Sequence, residues 1–427
     1  MRKISLLIIG LSFMLSCNSQ KNCKTIDWDS DLDFMSNALP QKHYNLFAVK
    51  SQKEYLEGIE KIRKNKNELS DFEMAMSLQQ LVASFGDSHT HVRWGKLIDK
   101  KQFLPLHLYW FKDGMYILHT TDKYKSLLGQ QLLSINHIPV DDIADSLSTL
   151  ITVDNQALVK NAIPHLLPSV QVLKYFGIAE SKKIELELKD DNGQIKFQWI
   201  EPAEMNSKNR IGFQPDSLAL CYRNKRIFFI DYYQAREKLF YLQYNKCWGR
   251  ECEMKFGRKK ADKLPSFEDF GKHVFTILKN EPVDKLVFDI RLNGGGSSEQ
   301  GTALIEKIAK YAKKNPDLKL YVVLGRKTFS SAIINAMDFK RLTNAVFVGE
   351  ETGGKPNHFG EVRGFKLPHS GIEVLYSTKY FKETDEVMNS LQPDIQIETS
   401  FEDYKKGTDP VYDWIKKNNK IMASKQK

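Results

Sequence analysis

The spacing of apolar residues changes twice along the chain, and these changes divide it into three regions. In residues 25–98 the spacing is helical, because Tyr55, Ile59 and Ile62 recur on one face of a predicted helix. Ser70 to Glu73 form a capping-box pattern, which predicts the start of a further helix. We therefore expect a helical N-terminal region.

From about Phe103 apolar and polar residues alternate, which indicates half-buried strands. The stretch from Leu128 to Val140 resembles the signature of PDZ domains, although His137 stands where that family usually has glycine. We therefore expect a small β-rich, PDZ-like domain over residues 99–203, with an inserted helical stretch near residues 155–178. The predicted strands are 106–110, 115–118, 184–188 and 195–200.

In residues 204–420 predicted strands alternate with predicted helices. This order is typical of an α/β domain in which helices cover both faces of a mostly parallel sheet, and such sheets bind ligands beyond the carboxyl ends of their strands. The charged stretch 250–263 is predicted to be a solvated loop. The predicted strands are 226–233, 239–244, 285–290, 318–324 and 345–348, and the predicted helices are 267–278, 300–313 and 331–342.

Composition and charge exclude several classes of protein. Hydrophobic residues make up 41% of the 427 residues, which excludes a disordered or collagen-like chain. The 63 Lys and Arg outnumber the 53 Asp and Glu, so the formal net charge is +10. Because no RNA-binding, zinc-finger or basic-helix motif accompanies this charge, we expect no nucleic-acid partner.

The N-terminus has the pattern of an export signal. Arg2 and Lys3 precede an apolar run from Ile4 to Leu15, which is too short to span a bilayer. Ser16 and Cys17 follow, and this order resembles a bacterial lipoprotein cleavage site. We therefore expect a signal peptide over residues 1–16, a lipid anchor on Cys17, a tether over residues 17–24 and a location in the cell envelope, as a periplasmic or outer-membrane lipoprotein. The alternative is an ordinary secretory signal.

The remaining cysteines suggest no metal chemistry. Cys247 and Cys252 are close enough in the sequence to form a disulfide in an oxidising compartment. No cysteine or histidine pairs have the spacing of a zinc site. We therefore expect neither a metal nor another cofactor.

Two loops that follow predicted strands carry residues suited to catalysis. The glycine triplet 294–296 follows strand 285–290, and glycines there let backbone N–H groups turn toward a developing negative charge. Ser330 lies between strand 318–324 and a helix. A serine at this place either caps the helix or acts as a nucleophile beside the positive end of the helix dipole, and the local sequence leaves both roles open.

A third loop makes the pattern recognisable. Residues 285–397 resemble the C-terminal processing (tail-specific) serine peptidases, a group that includes the tricorn protease core. Ser330 and Lys355 stand 25 residues apart, as the matching residues do in that family. With the PDZ-like region and the motif 87–90, the resemblance covers nearly all of the chain after its signal. The matching segments are 286–296, 325–332, 349–357, 367–371, 376–381, 393–395 and 407–411.

The resemblance implies a ClpP/crotonase-like peptidase core in which Ser330 attacks a peptide carbonyl and forms an acyl-enzyme. Backbone N–H groups of Gly294, Gly295 and Ser331 would hold the oxyanion.

The general base stays open, because family members use two solutions. One branch uses a lysine, whose counterpart is Lys355. The tricorn-like branch uses a histidine that is set by a preceding serine and a distant glutamate, and the counterparts are His89, Ser88 and Glu386. We favour His89, because histidine accepts a proton near neutral pH without special burial. Glu383 and Asp385 lie close enough to Glu386 to replace it in the alignment.

These features predict an exported serine endopeptidase that cleaves protein or peptide substrates and whose PDZ-like domain binds their C-terminal ends. The alternative is a peptide-binding scaffold that has lost activity. Ile333 favours this alternative, because many family members carry glutamate three residues after the nucleophile. The presence of Ser330, His89 and Lys355 favours the enzyme.

Overall fold

The computed structural model describes residues 26–257 and 261–418. The predicted signal peptide, Cys17 and the tether lie outside the described residues. The described chain contains a three-stranded, a six-stranded and a seven-stranded sheet together with helices. The predicted α/β class, with a helical N-terminal region, a small β-rich region and a mostly parallel peptidase core, is confirmed.

Capping boxes begin two of the helices of the N-terminal region. The hydroxyls of Ser51 and Ser70 accept hydrogen bonds from the amides of Glu54 and Glu73, and these glutamates bond back to the serine amides. Tyr55 is fully buried, as the helical spacing predicts. The elements are α1 (Trp28–Lys42), α2 (Gln52–Asn65), α3 (Asp71–Ala83) and the short strand β1 (His91–Val92).

The middle region forms an antiparallel sheet in the order β2-β3-β4-β6-β7, to which β5 and β8 add at β4 and β3. Helices α4 to α6 lie between β5 and β6, and α5 and α6 fall within the stretch 155–178 that is predicted to be a helical insertion. The elements are β2 (His107–Phe111), β3 (Gly114–Thr121), β4 (Gln131–Ile135), β5 (Ile138–Pro139), α4 (Val140–Ser148), α5 (Gln156–Leu166), α6 (Val170–Tyr175), β6 (Ile184–Lys189), β7 (Ile195–Ile200) and β8 (Arg210–Gly212).

The C-terminal region is built on the six-stranded sheet, in the order β16-β13-β12-β11-β10-β9, in which β9 alone runs antiparallel to its neighbour. Its elements are α7 (Leu220–Arg223), β9 (Phe229–Gln234), β10 (Leu239–Tyr244), α8 (Arg250–Lys255), α9 (Phe267–Asn280), β11 (Lys285–Asp289), α10 (Glu299–Lys314), β12 (Lys319–Leu324), α11 (Ser331–Leu342), β13 (Val346–Gly349), β14 (His358–Lys366), β15 (Glu373–Phe381), β16 (Ile395–Gln396), α12 (Phe401–Lys406) and α13 (Pro410–Lys417).

Helices bury both faces of this sheet. One face packs on α9, α10 and α11, and the opposite face packs on α13. Every residue of β10 and of β11 is buried, which is the burial expected of strands covered on both sides.

A nonlocal strand pairing joins the two ends of the fold. β1 pairs antiparallel with β15, with His91 opposite Leu375 and Val92 opposite Val374, and β15 pairs with β14. Because β1 directly follows the loop that carries His89, this pairing brings the loop to the C-terminal region.

The structure decides one open possibility and corrects one prediction. Cys247 and Cys252, which are close enough in the sequence for a disulfide, are free, buried thiols. The Cys247 thiol instead lies 3.5 Å from Oδ1 of Asn293, and the Cys252 thiol lies 3.1 Å from Oε1 of Gln300. The charged stretch 250–263, which was predicted to be a loop, contains α8. The carboxylate of Glu251 in α8 accepts a hydrogen bond from the amide of Phe267 at the start of α9.

Candidate active site

Ser330 lies at the carboxyl end of β12 and immediately precedes α11. Its backbone has φ +54° and ψ −126°, a conformation rarely adopted by residues other than glycine. Its hydroxyl does not cap the helix, so the structural role that the sequence left open is not used. The geometry is that of a serine held by a strained turn at the edge of the sheet.

The glycine loop packs directly on this turn. A Cβ atom on Gly295, which has φ +99°, would stand 2.9 Å from the carbonyl oxygen of Phe329 and 3.0 Å from Cβ of Ser330. The loop is further joined to α11 because the hydroxyl of Ser331 donates to the carbonyl oxygen of Gly296 at 2.9 Å. Only glycine permits so close an approach of the two loops.

The backbone amides near Ser330 differ in their availability. The amide of Gly295 donates to Oδ1 of Asn293 at 2.9 Å and is therefore engaged within its own loop. The amides of Gly294 and Ser331 donate to no acceptor in the described part of the chain. The Ser331 amide is also the first of α11, where the orphan N–H groups of a helix favour negative charge.

His89 lies between two aromatic rings. Its imidazole stacks on Phe329, the neighbour of Ser330, with centroids 4.8 Å apart, and on His358 with centroids 5.5 Å apart. Burial lowers the pKa of His89 to about 4, an effect that Asp87 opposes and that His358 and His91 reinforce. The imidazole is therefore neutral, the form that accepts a proton.

Asp87 is the carboxylate beside His89, and sequence reasoning assigned it no role. Its Oδ1 lies 3.9 Å from Nδ1 of His89 and accepts the His89 amide at 2.9 Å, while its Oδ2 lies 2.9 Å from Nε2 of His43. Burial would raise the pKa of Asp87, but hydrogen bonds from His43, Thr90 and the His89 amide outweigh it and hold the pKa well below its usual range. An ionised carboxylate therefore faces the imidazole.

Lys355 is held in an ion pair, and sequence reasoning missed its partner. Nζ of Lys355 lies 2.9 Å from Oδ1 of Asp154 and 3.5 Å from the carbonyl oxygen of Gly86. Asp154 belongs to the segment between α4 and α5 and is buried. Burial raises the pKa of its carboxyl group, although Lys355 and the Ser88 hydroxyl oppose this rise. Lys355 is thus held by a buried carboxylate of the middle region.

Glu386 lies apart from these contacts. It is exposed, and its carboxylate makes no hydrogen bond or ion pair with a described residue. The two acidic residues that could replace Glu386 in the alignment form other ion pairs. Glu383 pairs with Arg341 at 2.6 Å, and Asp385 pairs with Lys382 at 2.5 Å. Ile333 is 1% exposed and packs in the core, as its apolar side chain requires.

Several buried polar atoms of the candidate site are unsatisfied. Both ring nitrogens of His89, Nε2 of His358, Oγ of Ser377 and Oδ2 of Asp154 have no hydrogen-bond partner. Buried polar atoms are almost always paired in folded proteins, and those that are not often serve a function.

The signal that could have pointed to Asp87 is its place two residues before His89, where aspartate commonly accepts the amide of residue i+2.

The described residues suggest neither a metal site nor a membrane span. No group of three or more His, Cys, Asp or Glu side chains among them is arranged to hold a metal ion. None of the helices in the same residues is long and apolar enough to cross a bilayer.

Comparison with known proteins identifies the family. Residues 263–397 match the model of peptidase family S41, and this segment includes the glycine loop, Ser330 and Lys355. The chain carries a family S41 peptidase domain. The predicted serine peptidase is thus confirmed at the level of the family. No curated protein sequence is significantly similar to this S41 chain.

Solved structures support the same fold over nearly the whole chain. Mature CPAF in complex with lactacystin matches with a TM-score of 0.64 at 14% identity, covering 91% of this chain and 97% of that one. Mature CPAF alone matches with a TM-score of 0.62 at 15% identity, covering 91% and 95%. At such low identity these matches concern the fold alone.

Proposed function

We propose that this S41 peptidase is an endopeptidase that cleaves protein substrates through an acyl-enzyme on Ser330. The observation that carries the proposal is the placement of Ser330 in a strained turn against the glycine loop, with the imidazole of His89 stacked on the neighbouring Phe329. The Ser330 hydroxyl would attack the peptide carbonyl and pass its proton to His89, and protonated His89 would give that proton to the leaving amine as the C–N bond breaks. Water would then hydrolyse the ester with the same base.

The amides of Gly294 and Ser331 are the donors that we assign to the oxyanion. Both lack another acceptor among the described residues, and one such donor typically lowers the barrier by about 3 kcal/mol. Asp87 would stabilise the imidazolium that forms on His89, because its carboxylate stays ionised and lies 3.9 Å away. The ion pair with Asp154 favours Lys355 as a positioning group rather than as the base.

The first test is cleavage of an unstructured protein such as casein by the purified chain. We expect Ser330→Ala to abolish cleavage, because the acyl-enzyme cannot form. The matched control is Ser207→Ala, which changes an exposed serine far from the turn and should retain full activity. Cleavage by the Ser330→Ala variant would contradict the nucleophile assignment. A wild type that binds casein without cleaving it would favour the inactive scaffold.

We further propose that the protein is exported and held at the cell envelope by a lipid on Cys17, and that the middle region binds substrate C-terminal ends as PDZ domains do. The support is the apolar run before Ser16-Cys17 and the Leu128–Val140 signature. Cys17→Ser should move the protein from the membrane fraction to the soluble fraction, because the anchor is lost. A variant that stays with the membrane would contradict the anchor.

A further inference from the structure

A large cavity lies between the middle region and the peptidase core. Its volume is about 610 Å³, which accommodates a ligand of small-molecule size. Its walls come from β2, β3 and α5 on one side and from the loops that follow β11, β12 and β13 on the other. The cavity therefore occupies the carboxyl edge of the parallel strands, where α/β sheets commonly bind ligands.

The lining of this cavity is strongly basic. Glu350 is the one carboxylate on its wall among the described residues, and both of its oxygens are bound by Arg326, at 2.6 and 3.1 Å. Lys225 and Lys327 form no ion pair with any described residue. We call the cavity the basic cavity and define it by His107, His119, His165, Lys225 and Lys327.

The basic side chains are close enough to affect one another. The Nδ1 atoms of His107 and His119 lie 3.2 Å apart, so one ring donates and the other accepts, which requires that one ring be neutral there. Burial lowers the pKa of His107 to about 4, and His119, His165, Lys225 and Arg210 lower it further. Burial also lowers the pKa of Lys225, with Lys327, Arg226 and Arg210 adding to the effect. Burial lowers the pKa of all three histidines, so they line the cavity as neutral hydrogen-bonding rings, and its unbalanced positive charge is carried by Lys225 and Lys327.

We propose that the basic cavity binds an anionic ligand of small-molecule size through carboxylate or phosphate groups. Such a ligand supplies the negative charge that the wall lacks and places acceptors between Lys225 and Lys327. Carboxylates and phosphates form charge-assisted hydrogen bonds with lysine, which are about twice as strong as neutral ones, and a neutral histidine ring adds one ordinary N–H donor. Lys327 stands on the loop between β12 and Ser330, so the ligand contacts the loop that carries the nucleophile.

Calorimetric titration of the full chain, purified in mild detergent, tests this inference without any catalytic readout. The probes are citrate as a tricarboxylate and pyrophosphate as a phosphate source, with trimethyl citrate as the uncharged control. We expect one or both anions to bind with a stoichiometry of one, more weakly in 500 mM than in 50 mM NaCl, and trimethyl citrate not to bind. Which anion binds distinguishes a carboxylate ligand from a phosphate ligand.

Two variants locate the binding. The double variant Lys225→Met/Lys327→Met should weaken binding at least about tenfold, because it removes two charge-assisted contacts. Both side chains are exposed, so the fold should persist, and Lys327→Met alone provides a second measurement. Lys61→Met changes an exposed lysine on α2 and should bind as the wild type does. Absence of binding by both anions, or equal binding by the double variant, would overturn the proposal, whether or not Ser330 is the nucleophile.

Discussion

At the scale of single residues, Ser330 is distinguished by its backbone rather than by its neighbours in the sequence. A left-handed φ costs a residue with a side chain about 1–2 kcal/mol, so it persists only where the surroundings impose it. Here the imposing contacts come from the glycine loop and from the first turn of α11. The strain directs the hydroxyl away from a capping role and leaves it free for chemistry.

The pH dependence of cleavage follows from the burial of His89. The imidazole accepts a proton only while it is neutral, and its pKa lies at about 4 rather than near 6.5. We therefore expect kcat/KM to hold its plateau through pH 6 and to fall as the pH drops toward 4. Measuring kcat/KM on a short chromogenic peptide between pH 3.5 and 8 gives the position of this acid limb.

Variants of the two candidate bases accompany the profile. His89→Ala should lose activity across the whole pH range, because no other group takes the proton of Ser330. Lys355→Met should lower kcat while leaving the acid limb near pH 4, because the lysine positions the site through Asp154. An acid limb near pH 6.5, or full kcat in His89→Ala, would show that His89 is not the base.

At the scale of elements, the turn before α5 ties the middle region to the active site. Asn155 caps α5 by accepting the amide of Leu158 at 2.9 Å, and its side-chain nitrogen donates to the carbonyl oxygens of Thr352 and Asn389, at 3.0 and 2.8 Å. Its neighbour Asp154 pairs with Lys355. Asp154 and Asn155 thus link the start of α5 to the loops that carry Thr352 and Asn389 and to Lys355.

Asn155→Ala should therefore lower the free energy of unfolding by about 2–3 kcal/mol. The variant removes an N-cap, which alone is worth about 1 kcal/mol, and leaves two carbonyl groups without a donor. Urea denaturation followed by circular dichroism measures the change. Asn192→Ala, in the exposed turn between β6 and β7, is the control and should change stability by less than about 0.5 kcal/mol. Equal stability of both variants would contradict the role of Asn155.

The sequence predicts those elements whose pattern is local. The strand 239–244 and the helix 331–342 are found with the predicted bounds, because each carries its own apolar periodicity or helix start. The strand β14 is not predicted from pattern, since three buried residues followed by four exposed ones give no alternation. Its role as a strand depends on pairing with β15, which a local pattern does not contain.

The site divides in the same way. Ser330, the glycine loop and His89 are predictable, because each stands in a motif that loop chemistry or family resemblance identifies. Asp87 and Asp154 are not, because their importance arises from contacts with residues distant in the sequence, such as His43 and Lys355. Glu386 was assigned its role from the family resemblance and its spacing in the sequence. Spacing alone does not determine which way an exposed carboxylate faces.

At the scale of the whole molecule, Arg326 joins the middle region to the core. Its guanidinium is buried, pairs with Glu350 and Glu398 at 2.6 Å each, and donates to the carbonyl oxygen of Trp110 in β2. It also lies over the ring of Tyr109, 5.4 Å from the centroid. Arg326 thus connects the loop before Ser330 with β2, at the edge of the seven-stranded sheet.

Arg326→Met should destabilise the protein by about 3 kcal/mol, because it leaves the largely buried carboxylate of Glu350 unpaired, whereas Glu398 keeps its pair with Lys160. Arg326→Lys should not restore stability, because an ammonium group lacks the planar fork that bonds several partners. Arg93→Met, which breaks an exposed pair with Glu373, is the control and should cost about 1 kcal/mol or less. Unfolding midpoints in urea compare the three variants, and similar losses in Arg326→Met and Arg93→Met would refute the bridging role.

The pairing of β1 with β15 also sets the order in which the enzyme becomes competent during its synthesis. His89 is synthesised 292 residues before Phe381, the residue at which the strand that seats its loop ends. Until that strand has emerged, the loop of the candidate base lacks the strand that brings it to the C-terminal region. The proposed catalytic site therefore cannot be complete, and cannot digest other proteins or its own chain, before β15 has been made.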